Sequence, residues 1–430
     1  MASQSLLDSI WVLFSAFLVF FMHAGFALVE SGFCREKNAV MVLMKNVAVV
    51  AVSSILFYLV GYGVMFGTGN EFMGLSLFMP RASWPDVGTL PIFVFLFFQL
   101  VFAATACTIV SGALNERTTF GGFLAFTAVA TTLIYPIVGH WVWGGGFLSK
   151  VGYHDFAGSS VVHVVGGAMA LAGVMAVGPR IGKYGPDGRP RPLPAHNFPL
   201  ATLGVIILWL GWFGFNGGST LAANPALIGS VVLVTNLSAA AGFLAALGHV
   251  KLRTGMLDLS MALNGALGGL VAITAGADVI GPGHSLVVGA VAGVLIVEGV
   301  FLLDELRLDD PVGAIAVHGV GGIFGTLAVG LFASEGGLLV DGGTRTLGVQ
   351  VLGCLAIVFF AFSASAAVWF GMKRFVKGSV RVPAAHELEG LDLSECGVEA
   401  YGRELSGISE APLAPETVAV ARSAPMVARS

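Results

Sequence analysis

The stretch DFAGSSVVHVVGG, Asp155–Gly167, returns later in the chain as DPVGAIAVHGVGG, Asp310–Gly322. The two copies agree at seven of thirteen positions: Asp155/Asp310, Gly158/Gly313, Val162/Val317, His163/His318, Val165/Val320, Gly166/Gly321 and Gly167/Gly322. Each copy opens a long apolar run. Each aspartate therefore stands where a helix N-cap belongs, accepting hydrogen bonds from the free N–H groups of the first turn. In both copies a histidine follows eight residues later. At about 1.5 Å of rise per residue this carries the imidazole ~12 Å along the helix, close to half of a ~30 Å hydrocarbon layer. If one helix starts at the outer face and the other at the inner face, the two histidines meet near the midplane. That is the geometry of an inverted-repeat transporter.

The composition agrees with a membrane setting. Of 430 residues, 56% are hydrophobic and only 11% charged, whereas soluble domains carry about 25% charged residues. The formal net charge of −4 decides little, because in such a chain the placement of charge matters more than its sum. Sixty glycines, most of them inside apolar runs, fit close helix packing. Cys34, Cys107, Cys354 and Cys396 are far apart and share no metal-ligand spacing, so they read as unpaired thiols, with neither a disulfide nor a zinc site. The start of the chain has no basic segment or clear cleavage site, and its first apolar run reads as a retained span.

Eleven spans can be counted, at 10–30, 39–66, 91–114, 119–143, 158–177, 200–216, 225–250, 259–277, 285–303, 312–332 and 347–372. Connections after odd-numbered spans hold Arg35, Lys37, Arg117, Arg180, Lys183, Arg189, Arg191, Lys251, Arg253 and Arg307, and the tail begins with Lys373, Arg374, Lys377 and Arg381. Connections after even-numbered spans hold only Arg81, Lys150 and Arg345. The excess of Lys and Arg marks the cytoplasmic side, placing the N-terminus outside and the C-terminus inside. Spans five and ten then run in opposite directions. The expected fold is an all-α polytopic membrane protein of eleven transmembrane helices. Residues 1–376 form its membrane domain, with inverted five-helix repeats at about 7–180 and 197–333 and an extra helix at 347–373. Residues 377–404 form a polar, acidic cytoplasmic tail, and 405–430, rich in Ala, Ser, Pro and Val, read as a disordered end.

A histidine inside a membrane is costly and usually functional. His154, His196, His249, His284 and His386 fall near predicted surfaces, and His23 and His140 read as structural or interfacial. His163 and His318 stand apart because of their shared offset. Two imidazoles within hydrogen-bond reach can share a proton, which suits a proton relay or a small neutral hydrogen-bonding solute. A metal site is the weaker reading, since the His-x-Val-Gly-Gly pattern brings no carboxylate or thiol as a third ligand.

Several stretches together resemble the Amt/Mep ammonium transporter family: GFALVESGFCREKN from Gly25, FQLVFAATACTIVSGALNER from Phe98, HWVWGGGFLS from His140, DFAGSSVVH from Asp155, GWFGFNGGS from Gly211, LDDP and VHGVGG between Leu308 and Gly322, and EGLDLSECGVEAYGRE from Glu389. The likeness covers nearly the whole chain up to about Glu404. It implies an outer recruitment site for ammonium and methylammonium at Phe102, Trp143 and Ser219, where aromatic faces attract the cation and a hydroxyl accepts one of its N–H bonds. It implies a gate of stacked phenyl rings at Phe102 and Phe215, with Phe98 helping to wall the vestibule. The pore histidines fall on His163 and His318. Asp155 matches the essential acid near the recruitment site, with Asp310 its counterpart in the repeat. For the tail it implies regulation by a PII-type (GlnK-type) signal protein through Glu389, Gly390, Leu391, Asp392, Gly397 and Tyr401, and for the assembly a homotrimer. Gly313 departs from the family pattern, where Asp is common, and so does Cys396, where His is usual; the first bears on the inner vestibule and the second on the tail's contacts.

The resemblance thus implies uptake of ammonium across the plasma membrane, in a prokaryote the inner membrane. The ion would lose its proton near the phenyl gate and cross as ammonia past the histidines. The surroundings are membrane lipid, and no cofactor, nucleic-acid partner or enzymatic role is expected. Two rivals remain. A Rh-type gas channel is expected to lack the Trp143 and Ser219 pair. An ammonium sensor would use the same fold and, lacking a kinase-like or phosphotransfer domain, would signal through its tail to a separate partner.

Overall fold

A computed structural model describes residues 2–376, 378 and 380–401. The predicted disordered end at 405–430, and tail residues 402–404, lie outside these. Among the described residues the regular structure is helical, with only isolated β-bridges in the connections. A helix satisfies its own backbone polar groups, which is what hydrocarbon surroundings demand. Among the described residues ten helices are long and apolar enough to cross a membrane: α1 (Ser3–Phe33), α2 (Glu36–Phe66), α3 (Ile92–Ala113), α4 (Phe120–Val151), α5 (Ser159–Val177), α6 (Phe198–Gly218), α7 (Pro225–Thr254), α9 (Pro282–Glu305), α10 (Ile315–Phe332) and α11 (Arg345–Phe375).

The predicted span at 259–277 is cut short. Its helix, α8 (Leu259–Ile273), has 15 residues, or roughly 22 Å of rise. The next peptide groups turn away to the loop before α5: Ala275 N donates to Ser159 Oγ at 2.7 Å, and the Thr274 and Ala275 carbonyls accept from Ala157 and Phe156. Those bonds replace the helical ones, so the helix stops.

The repeated motif lies at the crossing of α5 and α10. Both copies begin as π-helical turns, Ser159–Val164 and Ile315–Val320, each containing its histidine; such turns gather at functional sites. The glycines that follow let the two backbones touch. A Cβ on Gly167 would sit 2.5 Å from Gly319 Cα, and one on Gly322 would sit 2.6 Å from the Ser159 carbonyl oxygen. No other residue fits there. The helices run antiparallel, because Arg180, just past the end of α5, bonds at 2.8 Å to Asp309, the neighbour of the Asp310 that begins α10.

α3 and α5 are the most enclosed helices, each 89% buried over its apolar window, and α11 at 28% is among the most peripheral. Apolar side chains such as Ile10, Phe14 and Phe17 on α1 and Leu352, Leu355 and Phe359 on α11 point outward, as a lipid-facing surface requires. At the Arg180 end, ions close the bundle. Arg117, fully buried, donates to the carbonyls of Ala113, Asn115, Gly178 and Asp309, and Arg180 bridges Asp309 and Glu116. Burial alone would raise the Asp309 carboxyl, but Arg117 and Arg180 outweigh it and hold the group well below the usual carboxylate range.

Candidate substrate pathway

The pathway is built around the twin motif. Asp155 caps its helix with unusual completeness. Its carboxylate accepts from the backbone N–H groups of Gly158, Ser159, Ser160 and Val161 at 2.8, 2.9, 2.7 and 3.0 Å, and from the Ser160 hydroxyl. Asp310 does the same more sparingly, accepting from Gly313 at 3.1 Å and Ile315 at 2.7 Å. Burial, aided by the neighbouring Asp309, pushes the Asp310 carboxyl above its ordinary value. Gly158 and Gly313 both take positive φ, +113° and +80°, so the turn after each cap favours glycine in both copies. Gly313 also lines the vestibule at this end of the molecule, and a Cβ there would press on Asn264 Nδ2 at 2.6 Å.

The caps aim the histidines at each other. His163 Nδ1 and His318 Nδ1 are 3.0 Å apart, and the residues are 0% and 4% exposed. One nitrogen must donate and the other accept, so the neutral pair shares a single proton between the rings. Trp212 flanks His163 with centroids 5.2 Å apart and an interplanar angle of 20°, while Phe26 lies 6.1 Å from His318. The Trp212 indole N–H donates to Thr274 Oγ1 at 2.9 Å, which fixes the wall. Trp212 and Phe26 escaped the sequence reading. Trp212 could have been found from its place three residues before Phe215; Phe26 carries no mark that separates it from core.

Phe102 and Phe215 stack with centroids 4.1 Å apart, and Phe215 in turn stacks on His163 at 5.5 Å. Nothing can lie between rings so close; the stack is closed. On its other side a cleft of about 310 Å³ is lined by Phe98, Phe102, Trp143, Ser219 and residues near them. Trp143 meets Phe102 edge to face at 6.3 Å, and its indole N–H donates to the Asp155 carbonyl at 2.7 Å. Ser219 donates its hydroxyl to the Phe215 carbonyl at 2.9 Å, which leaves its lone pairs to offer. Phe102, Trp143, Ser219 and Phe98 thus come together. Asp155 does not line the cleft: its carboxylate oxygens are spent on the helix, and it reaches the cleft through the backbone carbonyl that holds Trp143. Beyond His318 the route narrows to a cavity of about 20 Å³. It then reaches a vestibule of about 490 Å³ with Arg180, Lys183, Arg191, Asp258, Asp304 and Asp310 in its lining.

The tail residues form a separate group. Two short helices, α12 (Ala384–Glu389) and α13 (Leu391–Cys396), lie against the start of α2. Asp392 accepts from Val40 N and Met41 N, both at 2.9 Å, and so caps α2 from outside its own segment. Leu391, fully buried, packs with Met41 and Val382, and Cys396 rests against them. Gly390 takes φ +117°, and a Cβ there would meet the Lys37 carbonyl at 2.6 Å. Gly397 ends α13 at φ +71°, and the Tyr401 hydroxyl bonds His196 Nε2 at 3.1 Å. Glu389 is exposed; the buried glutamate is Glu387, which the sequence reading passed over. It accepts from Ile181 N at 2.6 Å and from Arg381 at 2.7 Å. An acidic tail beside a loop that carries Arg180, Lys183, Arg189 and Arg191 reads, from charge alone, as a segment that lies along those basic side chains; the contacts are different. Arg180 is committed to Glu116 and Asp309, Lys183 to Asp304 and Arg189 to Asp187, while Asp392 meets backbone N–H groups and Glu387 meets Ile181 N and Arg381 of its own segment.

Comparison with known proteins now places the chain. The profile of the Ammonium Transporter Family matches residues 10–401. Ammonium transporter Amt2 of Archaeoglobus fulgidus is 42% identical over 432 residues, which span 95% of this chain and 91% of that protein. A putative ammonium transporter of Synechocystis is 43% identical, over 93% of this chain and 90% of that one. Among solved structures, one titled Sensor Amt Protein aligns with a TM-score of 0.88 at 40% identity, covering 92% of this chain and all of that one, 100%. Mep2 of Candida albicans aligns at 0.80 and 29% identity, over 88% and 86% of the two chains. The chain, a multi-pass membrane protein and not an enzyme, belongs to the ammonium transporter family.

Proposed function

We propose that the protein takes up ammonium and methylammonium across the plasma membrane, the inner membrane in a prokaryote, with its N-terminus outside and its C-terminus inside. Ammonium is recruited in the cleft of Trp143, Phe102 and Ser219, loses its proton at the Phe102/Phe215 gate, and crosses as ammonia past His163 and His318. The observation that carries this reading is the 3.0 Å histidine contact directly behind a closed phenyl stack. A pore so walled offers hydrogen bonds to a neutral solute and nothing to replace the hydration shell of an ion. Potassium, which cannot shed its charge, is refused on that ground. The working assembly is a homotrimer, and the α12–α13 tail is the docking point for a PII-type signal protein.

The test is methylammonium uptake into proteoliposomes. Trp143→Leu removes a cation–π contact worth about 0.5–2 kcal/mol, so apparent affinity should fall a few-fold to roughly thirtyfold. Ser219→Ala should weaken affinity in the same sense, with the fold intact in both. Unchanged concentration dependence in both variants would remove the recruitment site from this account. A second reading is favoured by the structural neighbour whose title calls it a sensor. In that reading the fold detects ammonium and signals through the tail. A deletion strain that loses its growth response to limiting ammonium while keeping its uptake would favour the sensor.

A further inference from the structure

The narrow cavity on the inner side of His318 includes Glu30, Thr108 and Asn264 in its wall. Glu30 is 2% exposed. Its Oε2 accepts from Ser111 Oγ at 2.9 Å and Asn115 Nδ2 at 2.8 Å, so the carboxyl is held in place. Its Oε1 has no hydrogen-bond partner, and the same holds for Thr108 Oγ1 in that wall. Buried polar groups are nearly always paired, and an ionisable group inside a membrane is expensive. A carboxyl in the wall of the pathway, pinned through one oxygen and with no hydrogen-bond partner in place at the other, is arranged to meet something that passes.

Building on the ammonium reading above, we infer that Glu30 is the proton-exchanging carboxyl of the lower pore. As the acid, it meets ammonia that has passed His318. The nitrogen lone pair forms a new N–H bond as the carboxyl O–H bond breaks, which leaves ammonium and a carboxylate. The cation moves on to the vestibule, where Asp258, Asp304 and Asp310 lie in the wall. The carboxylate then takes a proton from hydronium in the vestibule water, and the cycle closes with one proton drawn from the inner side per ammonia delivered.

A structural role competes with this one. Lys45, 0% exposed, acts electrostatically on Glu30, and its Nζ has no hydrogen-bond partner. Glu30 could serve only to balance that charge. Methylammonium uptake in proteoliposomes separates the two roles. Glu30→Gln should slow uptake at least tenfold while ammonium still quenches tryptophan fluorescence at the outer cleft, and Glu30→Asp should keep most of the rate. The double variant Glu30→Gln/Lys45→Met should remain slow. Recovery in the double variant, or full-rate uptake in Glu30→Gln, would overturn the proposal. Should the glutamine variant fail to fold, infrared difference spectra of the unmodified protein decide. An ammonium jump should change a carboxylic C=O band that Glu30→Asp shifts, and an unchanged band refutes the exchange. If the unmodified protein carries no ammonium, the functional reading fails and Glu30's role with it. Normal transport beside an indifferent Glu30→Gln sinks only the role of Glu30.

Discussion

Replacing Asp155 by alanine would withdraw the acceptor from four backbone N–H groups and one hydroxyl, in a site 4% exposed. The Ser160 hydroxyl can rotate to another partner; the peptide groups of Gly158, Ser159, Ser160 and Val161 cannot. An unpaired buried donor costs about 1–3 kcal/mol, and the lower figure for each of the four gives about 4 kcal/mol. That is above the ~0.5–2 kcal/mol of an ordinary lost cap. Asp310→Ala removes only two such acceptances, or about 2 kcal/mol on the same basis. Asp155→Asn should fall between the unmodified protein and Asp155→Ala. Its remaining oxygen can serve Gly158 and Ser159, while its amide group would face the donors of Ser160 and Val161. The expected order of stability is therefore unmodified protein, then Asp310→Ala together with Asp155→Asn, then Asp155→Ala. Heating detergent-solubilised protein and following the monodisperse fraction by size-exclusion chromatography would read it. The sequence repeat alone makes the two aspartates equivalent. Equal losses at both, or no loss at Asp155, would refute the reasoning from donor counts.

Gly167→Ala should cost about 1–3 kcal/mol by overpacking and slow methylammonium uptake, because its Cβ would meet the Gly319 backbone at 2.5 Å and part the α5–α10 crossing; a thermal scan with an uptake assay checks both. The His154 ring bonds Asp278 at 3.0 Å; burial lowers its pKa, but Asp278 outweighs that and raises it above the ordinary value. A raised pKa means the pair stabilises fully below the unfolded histidine value of about 6.5 and loses its effect as pH climbs through the folded value. The stability gap between unmodified protein and Asp278→Asn should thus be widest in acid and shrink in alkali, as thermal scans across pH would record. Asp392→Asn should cost about 0.5–2 kcal/mol of cap energy at α2 and free the tail, seen as faster proteolysis between residues 384 and 397 with the membrane domain left intact.

Hydropathy was enough to find most of the helices, because the signal is local: a run of apolar residues. α8 shows where local signals end. The apolar run continues past Ile273, yet the carbonyls of Thr274 and Ala275 and the N–H of Ala275 bond to the 156–159 loop, and only Thr274 still reaches back to its own helix. That loop lies more than a hundred residues away, and nothing in 259–277 announces it. The histidines were legible for the opposite reason. A shared Asp-to-His offset is itself a statement about two distant helices, so it carried long-range information. Phe26 had no such partner in the sequence. One aromatic side chain in an apolar helix reads like any other until the ring beside it is known.

The acidic tail shows a subtler failure. Counting charges predicts that acids in 381–404 meet the arginines and lysines of the facing loop. That treats every Arg as available. Arg180 is not, because Asp309 and Glu116, carboxylates from two other connections, already hold it in a nearly dry site. A buried arginine must find its anions inside the fold, since leaving it unpaired costs far more than a surface pair returns. What remained for the tail was the backbone. Asp392 found the uncapped start of α2, and Glu387 found Ile181 N together with Arg381 from its own segment. Backbone N–H groups are invisible in a charge count, since every residue but proline has one. The acids that matter in this tail were therefore set by which peptide groups the membrane domain left unpaired at its surface, and residue type alone could not separate Glu387 from Glu389.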